Sequence, residues 1–136
     1  MRIFSILSSP AAVARFAVTA FFAIAFLQSG LDKIFDREGN LGWLKEHFKN
    51  SPLADMVPLL LTVLTGIELA AGVFCALGVI FTNFRDPGWS TASIGVLFAT
   101  VALLSLLLGQ RMAKDYAGAA VVAAYFAVAL VGLSLF

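Results

Sequence analysis

Only one acidic or basic side chain interrupts the long apolar run from Val57 to Phe81, and it is the carboxyl group of Glu68 near the middle. A charged side chain at such a depth in a membrane costs about 2–3 kcal/mol or more, so it is expected to face protein or water rather than lipid. Such a carboxyl group handles protons or orients a ligand. Alternatively, it locks neighbouring helices together as a protonated or ion-paired side chain. The sequence leaves both interpretations open.

Two basic residues next to the first apolar run are candidate partners of Glu68. Arg15 lies near one end of that run and Lys33 lies just past the other end, so only one of them can reach the level of Glu68. Each side chain would have to point inward to do so. The alternative, which we favour for both residues, is that the long side chain extends outward to the lipid headgroups.

A second polar cluster lies between the last two apolar runs and contains Arg111, Lys114, Asp115 and Tyr116. If a helix continues through the cluster, Arg111 and Asp115 are four residues apart and can pair. The cluster suits an anionic headgroup or a cofactor. Anchoring at the membrane surface is the simpler interpretation and the one we favour, because basic and aromatic residues commonly serve that purpose.

The residue types also exclude several functions. One cysteine, Cys75, cannot form an intramolecular disulfide or a CxxC pair, and one histidine, His47, cannot hold a haem between two histidines. A net charge of +1 gives no basic surface for nucleic acid. We therefore expect no metal site and no covalently attached cofactor, and we expect a chain that is not itself an electron carrier. No catalytic residue can be assigned.

The composition indicates the elements that position these residues. The chain of 136 residues is 61% hydrophobic and 12% charged, whereas soluble domains have about 25% charged residues. Its mean hydropathy is +0.97. Membrane-spanning helices need about 20 apolar residues, and four such runs are present, at about residues 11–31, 57–81, 89–109 and 117–136. The sequence predicts an all-α membrane protein: one domain over residues 1–136, folded as an antiparallel bundle of four transmembrane helices.

The long first connection is predicted to contain a short interfacial amphipathic helix. Leu41, Leu44 and Phe48 recur at helical spacing, charged residues lie between them, and Trp43 suits the headgroup level. Such a helix serves as a lid over the end of the bundle or as part of a binding site. We favour the lid, because a binding site needs convergent polar groups.

Two faces are expected to pack closely. In the second span, one helical face is small and weakly polar, and it carries Thr65, Glu68, Ala71, Gly72 and Cys75. In the fourth span, alanine recurs at every fourth position, at Ala119, Ala123 and Ala127. Small residues let membrane helices approach each other, so both faces are predicted to lie inside the bundle.

The layout of these residues resembles the DoxX family of four-span bacterial membrane proteins. The features that carry the resemblance are Arg15 early in the first span, the sequence Gly-Leu-Asp-Lys ending at Lys33, a charged loop with a short helix, and Glu68 with Gly72. It covers about residues 15–136. Residues 109–120 are similar to a subgroup described only as DoxX-like.

The resemblance implies the bacterial cytoplasmic (inner) membrane and a redox context. The namesake of the family is similar to the membrane subunit of a thiosulfate:quinone oxidoreductase, and other members are linked to complexes that counter oxidative stress. We therefore expect a small accessory subunit of a redox or respiratory assembly, with a quinone or lipid pocket. Its expected partners are membrane lipids and either other redox subunits or further copies of the chain. The alternatives are a stand-alone proton-coupled carrier that uses Glu68 and a quinone-linked oxidoreductase subunit with catalysis inside the bundle.

Overall fold

The computed structural model describes residues 2–136, and within that range the chain forms helices and no strand. The helices are α1 (Arg2–Ile6), α2 (Pro10–Phe35), α3 (Arg37–Phe48), a single 3-10 turn (Ala54–Met56), α4 (Val57–Phe81), α5 (Thr91–Met112) and α6 (Tyr116–Leu135). Helices α2, α4, α5 and α6 are long and apolar enough to cross a membrane. The predicted fold class, an all-α membrane protein with four spanning helices and a short helix in the first connection, is confirmed.

The helix ends follow from local capping. The second span has the predicted bounds, 57–81, whereas the first helix continues four residues beyond the predicted end at Leu31. Helix α5 begins at Thr91 because the Ser90 and Ser93 side chains cap each other's backbone N–H groups in a capping box. At the other end of the bundle, the Asp115 side chain accepts a hydrogen bond from the Gly118 N–H group and starts α6.

Helix α4 lies between α2 and α5, and glycines bring the three backbones close together. A Cβ atom at Gly72 would lie 2.7 Å from the Leu27 nitrogen of α2, and one at Gly78 would lie 2.6 Å from the Ala92 Cα atom of α5. The face of α4 that was predicted to pack is buried in full, from Thr65 to Cys75. This prediction is confirmed. The physical reason is that small residues on one helical face permit such an approach.

Helix α2 ends partway along α4. Gly30 lies against Leu69 and Leu27 lies against Gly72, so the two helices are antiparallel and Phe35 is level with about Leu64. Helix α4 continues for about seven residues past that level, which is about 10 Å at 1.5 Å per residue. The early end of α2 therefore leaves a recess beside the first two turns of α4.

Helix α3 crosses this recess. Near its start, Arg37 donates a hydrogen bond of 2.9 Å to the Thr62 hydroxyl of α4, and near its end the Phe48 ring approaches Gly109 of α5. As predicted, Leu41, Leu44 and Phe48 are half-buried, and the charged residues between them are exposed. Helix α3 thus forms a lid from α4 to α5.

The predicted close-packing seam of the fourth span is correct at Ala119, which is buried, and wrong at Ala123 and Ala127, which are exposed. Helix α6 turns Ala129 and Gly132 toward the core together with Ala119. Small residues occur all around α6, so their spacing alone did not identify the packed face. The packed face is the one on which Gly132 meets Val18 and Val96.

Candidate functional site

The Glu68 carboxyl group is 99% buried and forms the centre of a three-residue polar network. Its Oε2 atom accepts a hydrogen bond of 2.5 Å from the Ser29 hydroxyl and one of 3.2 Å from the Lys33 ammonium group. The Lys33 ammonium group also donates a hydrogen bond of 2.8 Å to the Ser29 hydroxyl oxygen. The three side chains therefore form a closed triangle between α2 and α4 with no net charge.

The other carboxylate oxygen, Glu68 Oε1, is buried and has no hydrogen-bond partner among residues 2–136. A buried acceptor without a partner costs about 1–3 kcal/mol. Lys33 also has unused capacity, because an ammonium group has three N–H donors and two of them are bonded here. The network thus retains one free acceptor and one free donor.

Lys33 is the basic residue that reaches Glu68. The interpretation we favoured, that its side chain extends outward to the headgroups, is wrong, because the Lys33 side chain is 14% exposed and points inward to the carboxylate. It can do so because α2 continues to Phe35, level with about Leu64 of α4, so the last turn of α2 lies close to the depth of Glu68. In the sequence, the apolar run ends at Leu31 and charged residues follow, so nothing there indicates that the helix continues to Phe35.

Arg15 belongs to the opposite end of the bundle, and extension to the headgroups is wrong for this residue as well. Its guanidinium group is buried and donates hydrogen bonds to the carbonyl oxygens of Leu135 at 2.6 Å, Phe84 at 2.9 Å and Arg85 at 3.4 Å. A cation at a helix C-terminus is stabilised by the helix dipole and by the free carbonyl groups there. Arg15 thus connects α2 by hydrogen bonds to the end of α6 and to the α4–α5 connection.

A cavity of about 370 Å³ fills the recess under α3. Its walls come from α3, the first half of α4 and the last turns of α5, and they are mainly leucine, valine and aromatic side chains. Lys33, which bonds to the buried Glu68, lies at the inner end of the cavity, and Val63 and Leu108, which are 50% and 62% exposed, lie where the cavity meets the apolar outer surface of the bundle. Spanning helices turn such a surface to lipid. The cavity therefore links the lipid-facing surface to the residue that holds Glu68.

His47 and Gln110 form the outer end of this cavity. The His47 ring stacks on Trp43 with 4.5 Å between ring centroids, and its Nε2 atom lies 2.9 Å from Gln110 Oε1 and 3.6 Å from Asp115 Oδ2. These contacts hold the C-terminal half of α3 against the ends of α5 and α6. The sequence does not indicate that His47 and Gln110 lie together, because their proximity depends on the path of α3.

The cluster from Arg111 to Tyr116 is arranged differently from the predicted i,i+4 pair. Helix α5 ends at Met112, and Lys114 has a left-handed backbone with φ 60°, so Arg111 and Asp115 do not lie on one helix. The Arg111 guanidinium group instead lies over the Tyr116 ring, 4.7 Å from its centroid. Asp115 faces His47 and the N-terminus of α6.

The site residues expected from the sequence thus occupy three places. Lys33 and Glu68 meet at the inner end of the cavity, whereas Arg15 lies near the other end of the bundle, and Arg111, Asp115 and Tyr116 lie at the surface beside α3. Ser29 and Gln110 complete these contacts. Within residues 2–136, no three His, Cys, Asp or Glu side chains are grouped closely enough to hold a metal ion.

The fold and the site define a class: a multi-pass membrane protein whose four-helix bundle holds a buried lysine–glutamate pair beside a lipid-facing cavity. Comparison with family models, curated proteins and solved structures finds no match to this chain.

Proposed function

We propose that this chain is a small accessory subunit of a membrane redox assembly of the DoxX type, in the bacterial cytoplasmic membrane, and that it binds a quinone or a lipid in the cavity under α3. The subunit does not carry electrons itself, and its partner supplies the redox centre. The observation that supports this proposal is the cavity, which has an apolar wall, a border with lipid and polar groups at both ends.

The size and lining of the cavity suit a membrane-soluble ligand. Small-molecule sites usually have volumes of about 300–1,000 Å³ and mainly apolar walls with a few polar groups that fix orientation. Here the polar groups are Lys33 at the inner end and His47 with Gln110 at the outer end. A molecule with one oxygen-bearing end and an apolar body matches this distribution, and it can enter from the bilayer past Val63.

A second candidate function, a proton-coupled carrier, is favoured by the buried carboxyl group. Glu68 has one oxygen without a partner, and its ion-pair partner Lys33 lines the cavity. A buried ionisable residue in a spanning helix commonly belongs to a proton or substrate path. In this function, Glu68 would exchange its proton through the cavity, and the chain would work without a redox partner.

The two functions are separated by purification from the native membrane in a mild detergent. For the accessory subunit we expect stoichiometric redox subunits and an extractable quinone or lipid, both identified by mass spectrometry. For the carrier we expect only copies of this chain, together with proton uptake into proteoliposomes that is lost in Glu68→Gln.

A cavity-filling variant tests the binding site itself. Leu64→Trp places a large ring inside the cavity, whereas Leu59→Trp adds the same ring to the lipid-facing side of the same helix, where Leu59 is 61% exposed. We expect Leu64→Trp alone to lose the bound molecule. Equal retention in both variants would refute the assignment of the cavity as the binding site.

A further inference from the structure

The Lys33 side chain belongs both to the ion pair with Glu68 and to the wall of the cavity. Lys33 contributes to the cavity wall, while its ammonium group bonds to Glu68 and Ser29 and keeps one donor free. Glu68 is buried and is not part of the cavity wall, and within residues 2–136 Lys33 is the one cation paired with it. Any ligand group that bonds to Lys33 therefore acts on Glu68 as well.

We propose that the cavity takes an amphiphile with a carboxylate head, and that binding of its anionic head to Lys33 is coupled to uptake of one proton by Glu68. This inference rests on the proposed function only in assigning the cavity as a ligand site. It specifies the ligand class as a long-chain carboxylate.

Binding of a carboxylate would change the net charge of the Lys33–Glu68 network. The empty network contains one ammonium and one carboxylate group, so its net charge is zero. A second carboxylate beside Lys33 would leave a net negative charge inside the bundle, which is strongly unfavourable in an apolar surrounding. Protonation of Glu68 restores neutrality: the ligand carboxylate and Lys33 then form the ion pair, and Glu68 is a neutral carboxylic acid.

The neighbours of Glu68 permit Lys33 to exchange the Glu68 carboxylate for the ligand carboxylate as its ion-pair partner. Lys33 is the only charged group that faces it from α2, and the α5 residues at its level, about Ala99 to Leu103, carry no ionisable side chain. On α4 itself the nearest titratable group is Cys75, two turns away. The Ser29 hydroxyl can donate to a carboxylate or accept from a carboxylic acid, so it satisfies Glu68 in either state.

The position of the cavity also suits this ligand. Its border with lipid allows a hydrocarbon chain to enter from the bilayer, and the apolar walls from Leu60 to Ile67 can cover a chain of that kind. A neutral long-chain alcohol has the same body and can accept a hydrogen bond from Lys33 without adding charge. It should therefore bind without proton uptake, which makes it a matched control ligand.

The test is calorimetric titration of the full-length protein in nonionic detergent, at pH 7, with dodecanoate and with 1-dodecanol. Repeating each titration in phosphate and in Tris, whose protonation enthalpies differ, gives the number of protons taken up on binding. We expect about one proton per dodecanoate and none per dodecanol, as linkage requires when one site gains its proton on binding. Absence of proton uptake with dodecanoate would overturn the inference.

Three variants test which residue takes up the proton and which residue binds the ligand carboxylate. In Glu68→Gln we expect dodecanoate binding to persist and proton uptake to disappear. In the double variant Lys33→Met with Glu68→Gln, which leaves no unpaired charge, we expect dodecanoate affinity to fall at least tenfold and dodecanol affinity to be unchanged. Lys45→Met, on the exposed face of α3, should behave as the wild type. Unaltered proton uptake in Glu68→Gln would contradict the inference.

The outcomes also separate this inference from the proposed function. If dodecanol and dodecanoate bind equally and without protons, the cavity is an apolar ligand site and only the carboxylate inference fails. If neither ligand binds and Leu64→Trp has no effect on the molecules that co-purify, the cavity is not a ligand site and both proposals fail.

Discussion

Lys33 and Glu68 form an ion pair of 3.2 Å between α2 and α4, at a level where α4 still has more than two helical turns to its N-terminus. The pair exists because α2 ends early, so that a residue of its last turn lies beside the middle of α4. Removing one partner of a buried pair leaves an uncompensated charge and costs about 3–5 kcal/mol in soluble proteins.

The first prediction concerns the stability that this pair provides. Lys33→Met should lower the thermal unfolding temperature in detergent, because Glu68 then lies buried without its cation. Adding Glu68→Gln should restore much of the loss, because no charge remains unpaired. Circular dichroism during heating measures both, and the coupling between the two sites follows from a double-mutant cycle. Additive effects of the two substitutions would argue against the pair.

The second prediction concerns Arg15. Arg15→Gln should destabilise the bundle by about 2–3 kcal/mol, because hydrogen bonds from a charged group contribute about 1.5–3 kcal/mol and the carbonyl oxygens of Leu135 and Phe84 would lose their donor. Arg15→Lys should give an intermediate effect, because a lysine keeps the charge but cannot donate in several fixed directions.

The matched control for Arg15 is Arg85→Gln. The Arg85 side chain is exposed and makes no hydrogen bond within residues 2–136. Its loss should change the unfolding temperature little. A similar loss of stability in both variants would indicate a general effect of removing positive charge at this end of the bundle rather than specific bonds from Arg15.

Some of this arrangement could be predicted from the sequence, and the reason is local periodicity. The inward face of the second span followed from its small residues, since every position from Thr65 to Cys75 on that face is buried. The bonds of Arg15 could not be predicted in this way, because its three acceptors lie 69, 70 and 120 residues away in the chain. The pairing of Lys33 with Glu68 could not be predicted either. It requires α2 to continue past the apolar run to Phe35, and backbone hydrogen bonds such as that from the Asp36 N–H group to the Asp32 carbonyl oxygen set this helix end.

The third prediction contrasts two faces of small residues. Gly95→Val should destabilise the bundle strongly, because even a Cβ atom at Gly95 would lie 2.6 Å from the Cys75 nitrogen. Overpacking of a tight core costs about 1–3 kcal/mol or more. Ala123→Leu should leave the unfolding temperature of the single chain unchanged, because Ala123 is exposed on α6. Thermal unfolding in detergent, with size-exclusion chromatography to record the oligomeric state, tests both. A loss of stability in Ala123→Leu would show that this face is packed after all.

The fourth prediction concerns the left-handed residue between α5 and α6. Lys114 has φ 60°, a conformation that costs a residue with a Cβ atom about 1–2 kcal/mol and glycine very little. Lys114→Gly should therefore stabilise the protein by about 1 kcal/mol, less the extra flexibility that glycine gives the unfolded chain. Ala113→Gly, at a residue with ordinary helical φ of −78°, should destabilise it. Unfolding in denaturant distinguishes the two signs.

The last prediction concerns the attachment of the lid helix α3. His47 is the residue that joins it to both Gln110 and Asp115, and few other polar contacts hold the C-terminal half of α3. His47→Leu keeps a side chain of comparable size but removes these contacts, so α3 should open more often while the four spanning helices stay intact. Local opening of this kind is measured by hydrogen exchange, which should become faster over residues 41–48 only. Lys45→Leu, on the exposed face of α3, is the control that should not accelerate exchange. If both variants exchange alike, His47 does not hold the lid, and packing of Leu44 and Phe48 is sufficient.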